Sequence, residues 1–184
     1  MGFFSRLFGG KKKAVELEPL AAPALAPAPV EAPRSAGQPA TTGISYDPNL
    51  VSKLKEDHQS LFKIYGDLTA ATDRADYAAI APLLSELKLA FQTHIMLENV
   101  KFYVYLQQSV AHDAQLSSFL VELRQEMNGI ARALVKFVNT YSTGPFTAEM
   151  AEPFKVELAG IGVVLTKRVE LEESRLYTLY QPNY

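Results

Sequence analysis

The chain has 184 residues, 48% of them apolar, a formal net charge of -2 and no cysteine. That length and apolar content support one substantial core and a tail, while the slightly acidic balance excludes a general nucleic-acid binder, whose phosphate contacts need a clustered basic surface. Disulfides, thiolate metal sites and thiol nucleophiles are excluded together, and no apolar run approaches the roughly 20 residues of a membrane span.

Residues 1–13 carry Phe3, Phe4, Leu7 and Phe8 ahead of Lys11, Lys12 and Lys13. On a helix the four apolar residues share one face with basic residues behind it, which suits either a disordered terminus or a peripheral contact with an anionic membrane or a partner groove. The segment is too short for a secretory leader and lacks the serine spacing of a myristoylation signal. Over 14–46 alanine and proline dominate, with Pro19, Pro23, Pro27, Pro29, Pro33 and Pro39. Proline at that density forbids helix and sheet, so this stretch reads as a disordered linker.

The folded part is expected over 47–181. Asp47-Pro48 reads as a helix start, and Leu50, Leu54, His58, Leu61, Tyr65 and Leu68 follow at three- and four-residue steps to about Ala71. A second helical pattern runs from about Asp76 to Gln108, with Pro82 as a kink or a fresh start. Asp113 caps a third through Leu120, Met127, Leu134 and Tyr141, closed by Ser142-Thr143-Gly144-Pro145. The fourth starts near Thr147 and reaches about Tyr180, with Pro153 in its first turn. Four amphipathic helices with short connections and no strand signal predict an all-α fold, an antiparallel four-helix bundle with a disordered N-terminal tail.

The inner faces of these helices carry groups that an apolar core does not hold without compensation. His58 comes from the first helix, His94 and Glu98 from the second, and Glu172 from the fourth. His94 and Glu98 are four residues apart, so they share a helix face at metal-ligand spacing. A cation would neutralise the cluster, and so would Arg168, one turn from Glu172 and able to take both its oxygens. The stretch also has a copy: Glu98-Asn99 followed by Lys101-Phe102-Tyr103 reappears as Glu172-Glu173 followed by Arg175-Leu176-Tyr177. Tyr103, Tyr105, Tyr177 and Tyr180 read as packing residues whose hydroxyls reach water or a polar group. Tyr65 has a second reading, as a donor to a metal-bound ligand.

With His58 and His94-Ile-Met-Leu-Glu98 in register, the chain resembles the hemerythrin-like, or HHE cation-binding, domain over about residues 48 to 181. The resemblance implies a histidine from the first helix and a His-x-x-x-Glu from the second of each helix pair, holding iron. In the second half Glu126-Met127 and Arg168 stand where that pattern has histidines, and Glu172 remains. Methionine is a poor ligand for iron, so the implied metal set is His58, His94, Glu98 and Glu172, with one iron ion rather than two. O2 or NO is then the implied ligand, and the protein a non-enzymatic sensor or carrier in a bacterial cytoplasm. The fourth helix, with Leu158, Ile161-Gly162, Leu165, Arg168 and Leu171-Glu172, is also similar to the regulator of sigma D family. That likeness implies a metal-free interaction module that binds a sigma factor. Neither a nucleophile with a positioned base nor a phosphate-binding glycine loop appears, so no enzymatic activity is expected.

Overall fold

The structure, a computed structural model, describes residues 44–182. The amphipathic segment 1–13 and the linker up to residue 43 lie outside the described residues. Helix α1 (Leu50–Asp73) is preceded by a turn that Asp47 closes. Its Oδ1 accepts the Asn49 N–H at 3.0 Å and its carbonyl accepts that of Leu50 at 3.1 Å. The helix therefore begins later than Asp47-Pro48 suggested, because the aspartate is spent on the turn rather than on the first helical N–H groups.

After a 3-10 turn at Tyr77–Ala79, α2 (Ile80–Leu97) begins, and Pro82 sits in its first turn, where a missing N–H leaves no helical bond unmade. Pro82 thus marks a fresh start and not a kink. A π-helical turn, Glu98–Phe102, joins α2 to α3 (Tyr103–Ser109). Helix α4 (Ala114–Ser142) is capped as expected, Asp113 Oδ1 accepting the Leu116 N–H at 2.9 Å. A 3-10 turn at Ala148–Met150 then leads into α5 (Ala151–Leu171), with Pro153 again in the first turn. A second π turn, Glu172–Leu176, and a 3-10 turn, Tyr177–Leu179, close the fold.

Helix α1 packs on α2 and α5, and α4 packs on the same two, so the helices form a ring of neighbours, the antiparallel four-helix bundle that the periodicity predicts. No strand occurs among the described residues, and none of their helices is long and apolar enough to cross a membrane. Apolar side chains fill both ends. Leu50, Leu54, Phe102, Leu106, Leu120 and Tyr180 pack one end. At the other, Phe154 lies between Phe137 and Tyr141, with ring centroids 5.2 and 5.0 Å away. Each such side chain contributes about 1.5–3 kcal/mol when fully buried. The residues that flank the bundle are tied to the first of these clusters: the Asp47 N–H donates to the Tyr180 hydroxyl at 2.9 Å, and the Tyr105 hydroxyl donates to the Gln181 carbonyl at 2.6 Å.

Candidate metal centre

The buried polar side chains among the described residues are His58, Thr72, His94, Glu98, Arg168 and Glu172. Thr72 satisfies itself by donating to the Leu68 carbonyl at 2.7 Å. All the others gather in one place, between the two apolar ends. Helix α1 supplies His58, α2 supplies His94, and α5 supplies Arg168; Glu98 and Glu172 each open a π turn. A π turn adds a residue to the helical repeat and re-aims the side chains that follow, a distortion that recurs at functional sites.

His58 is held from both sides. Its Nδ1 lies 2.8 Å from Glu173 Oε1 and its Nε2 3.2 Å from Glu172 Oε2. Burial alone would lower its pKa, but the hydrogen bonds to Glu172 and Glu173 overcome that and raise it. His94 differs. Burial and the charge on His58 pull its pKa down to about 4, and its ring is neutral at neutral pH. Burial and the neighbouring Glu172 carboxylate push Glu98 up to about 8. Burial opposes ionisation of Glu172 too, but its bonds to His58 and the charge on Arg168 win and hold its pKa below the usual range.

Arg168 anchors the other side of Glu172. Its Nε donates to Glu172 Oε1 at 2.5 Å, Nη2 to the Tyr103 hydroxyl at 2.5 Å, and Nη1 to the Leu123 carbonyl at 3.4 Å. The pair is therefore not the two-oxygen clamp that the sequence suggested. The guanidinium also donates to Tyr103 and Leu123 and lies 4.0 Å from Glu126 Oε2, and His58 occupies the second oxygen of the Glu172 carboxylate. Met127, on α4, is buried and fills core volume.

The expected ligands thus come together, with a difference in emphasis. Donor atoms of His58, His94 and Glu172 all lie within 4.8 Å of one another. Glu98 adjoins them, its Oε2 3.9 Å from His94 Nε2 and its Oε1 accepting from the Tyr177 hydroxyl at 3.2 Å. Among the described residues, His94 Nδ1 and Glu98 Oε2 are the buried side-chain atoms without a hydrogen-bond partner. Asp57 Oδ2, at 3.8 Å from His94 Nδ1, is too far to bond. Orphaned buried polar atoms are costly, and these two flank a set of imidazoles and carboxylates that suits a divalent or trivalent transition metal. The residues fit a metal ion.

Glu173 and Tyr177 also belong to this cluster; from the sequence Glu173 had no role and Tyr177 only that of a packing residue whose hydroxyl reaches water or a polar group. The signal was present in the repeat, which carries both residues at the same offsets as Asn99 and Tyr103. Tyr65 does not join the site. Its hydroxyl lies over Gly162 of α5, where a Cβ would come within 2.5 Å of it. His112 is exposed, in the turn before α4.

Fold and site together define a helical bundle with a buried histidine and carboxylate cluster. The family described as the hemerythrin HHE cation-binding domain matches residues 49–180, and the chain belongs to that family. No curated protein and no solved structure matches it.

Proposed function

We propose that the bundle binds a single iron ion through His58, His94, Glu98 and Glu172 and serves as a non-enzymatic sensor or carrier responding to O2, NO or redox state. The observation that supports it most is the convergence of His58, His94 and Glu172 donor atoms within 4.8 Å, beside the unpartnered His94 Nδ1 and Glu98 Oε2. Two imidazoles with carboxylates are a familiar donor set for non-haem iron, and the ion would supply reversible redox change and an affinity for small diatomic ligands. Around it, the chain holds His58 by Glu173, keeps Glu172 ionised through Arg168, and excludes bulk water with the apolar ends of the bundle.

Purified protein loaded anaerobically with ferrous iron is expected to retain about one ion per chain, and His58→Ala or His94→Ala to abolish retention. Unchanged iron content in both variants, or none in wild type, rejects the reading. A second reading rests on Arg168, whose salt bridge compensates Glu172 without any metal: a metal-free module that captures a sigma factor. Pull-down from a bacterial lysate with and without chelator separates the two, since chelator-insensitive capture of a sigma factor favours the module. A cytoplasmic location with peripheral membrane contact through residues 1–13 accompanies either reading, and deleting those residues tests it by membrane fractionation.

A further inference from the structure

The hydroxyl of Tyr177 reaches into the same cluster. It lies 3.3 Å from His58 Nε2 and 3.2 Å from Glu98 Oε1, and His58 Nε2 is itself 3.2 Å from Glu172 Oε2. Donors bound at right angles to one transition-metal ion, each about 2.1 Å from it, stand about 3 Å apart. The phenol oxygen therefore has ligand spacing to two members of the set. Packing does not require it there: the ring is buried and lies within 9° of parallel to the His58 ring, an arrangement that phenylalanine would satisfy.

The internal repeat supports the same assignment independently. Glu98 and Glu172 each open a π turn, and each is followed five residues later by a tyrosine, Tyr103 and Tyr177. Each tyrosine crosses to the other half. Tyr103 places its oxygen on the guanidinium of Arg168, four residues before Glu172; Tyr177 places its oxygen beside Glu98, four residues after His94. In the half where arginine supplies the cation, the phenol oxygen pairs with that cation. The equivalent phenol at the histidine-bearing half lies against His58 Nε2 and Glu98 Oε1, which belong to the proposed ligand set.

We propose that Tyr177 is a metal ligand, giving its phenol oxygen to the iron ion and completing, with His58, His94, Glu98 and Glu172, a set of two nitrogens and three oxygens. This rests on the reading that the bundle binds iron. As the metal–oxygen bond forms, the phenol O–H proton leaves to solvent. A hard anionic oxygen favours ferric over ferrous iron, so the ligand lowers the reduction potential of the ion without removing its redox change.

The test loads the full chain anaerobically with ferrous iron, removes the excess, oxidises with dioxygen, and records iron content, visible absorption and resonance Raman spectra. Wild type and Tyr103→Phe are expected to show a phenolate-to-iron charge-transfer band with tyrosinate ring modes, and Tyr177→Phe to lose both. A Tyr177→Phe protein of wild-type helicity that retains less than a tenth of the iron, while Tyr103→Phe retains it, also supports the assignment. A band undiminished in Tyr177→Phe, or one ferric ion in wild type without any band, overturns the assignment and leaves iron binding standing. Wild type that retains no iron overturns both.

Discussion

Arg168 is the residue on which the metal-free state depends. It is 4% exposed, and its partners Glu172 and Tyr103 are buried with it. Removing one member of a buried ion pair strands the other, at about 3–5 kcal/mol, whereas removing both charges is far milder. Arg168→Met is therefore expected to lower the unfolding free energy of chelated protein by that amount, with much of the loss recovered in Arg168→Met/Glu172→Gln. Urea titration decides it, and a cost below about 1 kcal/mol for the single variant contradicts the assignment of Arg168 as the countercharge. A second residue gives a pH prediction clear of the cluster. Burial, with help from the Glu157 carboxylate to which its hydroxyl donates at 3.2 Å, pushes Tyr141 up from 10.0 to about 12. The folded state then holds this proton more tightly than the unfolded state does. Its contribution is present below pH 10 and disappears as pH rises from 10 through 12. Tyr141→Phe is expected to flatten the fall in stability over that interval; an identical alkaline slope in the variant excludes the mechanism.

At the scale of elements, the two π turns and the α1–α5 contact shape the site. Each π turn begins at a cluster carboxylate, so that Glu98 and Glu172 enter the cluster while the tyrosine five residues on is turned to the same side. Helix α5 must also lie close to α1 for Glu172 and Glu173 to reach His58. Gly162 permits this, since a Cβ there would lie 2.5 Å from the Tyr65 hydroxyl oxygen and 2.9 Å from Cε2. Alanine gains about 1 kcal/mol of helix propensity over glycine, but forcing a rigid ring aside costs about 1–3 kcal/mol. Gly162→Ala is expected to destabilise the wild type and to stabilise a Tyr65→Ala background. The same sign in both backgrounds, measured by thermal or urea unfolding, excludes close approach as the reason for the glycine.

For the whole molecule, the bundle was legible in the sequence because four apolar stripes at helical period leave little choice of architecture, and the convergence of His58, His94, Glu98 and Glu172 followed from their register on those stripes. What escaped depends on an added residue in a turn. Straight α-helical spacing does not place Tyr177 beside Glu98, and the π turn that does so has no composition cue of its own. The one-oxygen pairing of Arg168 was likewise invisible, because it follows from competition with His58 on another helix. These unforeseen contacts bind helices that are distant in sequence, so the cluster is a tie across the bundle and its occupancy should register globally. An ion that binds the native state alone adds RT ln(1 + [L]/Kd), about 2.7 kcal/mol at a hundredfold excess over Kd. Iron-loaded wild type is accordingly expected to unfold at higher urea than chelated wild type by about that free energy. His94→Ala, which removes a proposed ligand but leaves the Arg168–Glu172 pair intact, is expected to show no difference between the two conditions. Equal midpoints with and without iron in wild type rule out a buried ion bridging the helices, whereas an iron-dependent shift that survives in His94→Ala places the ion elsewhere.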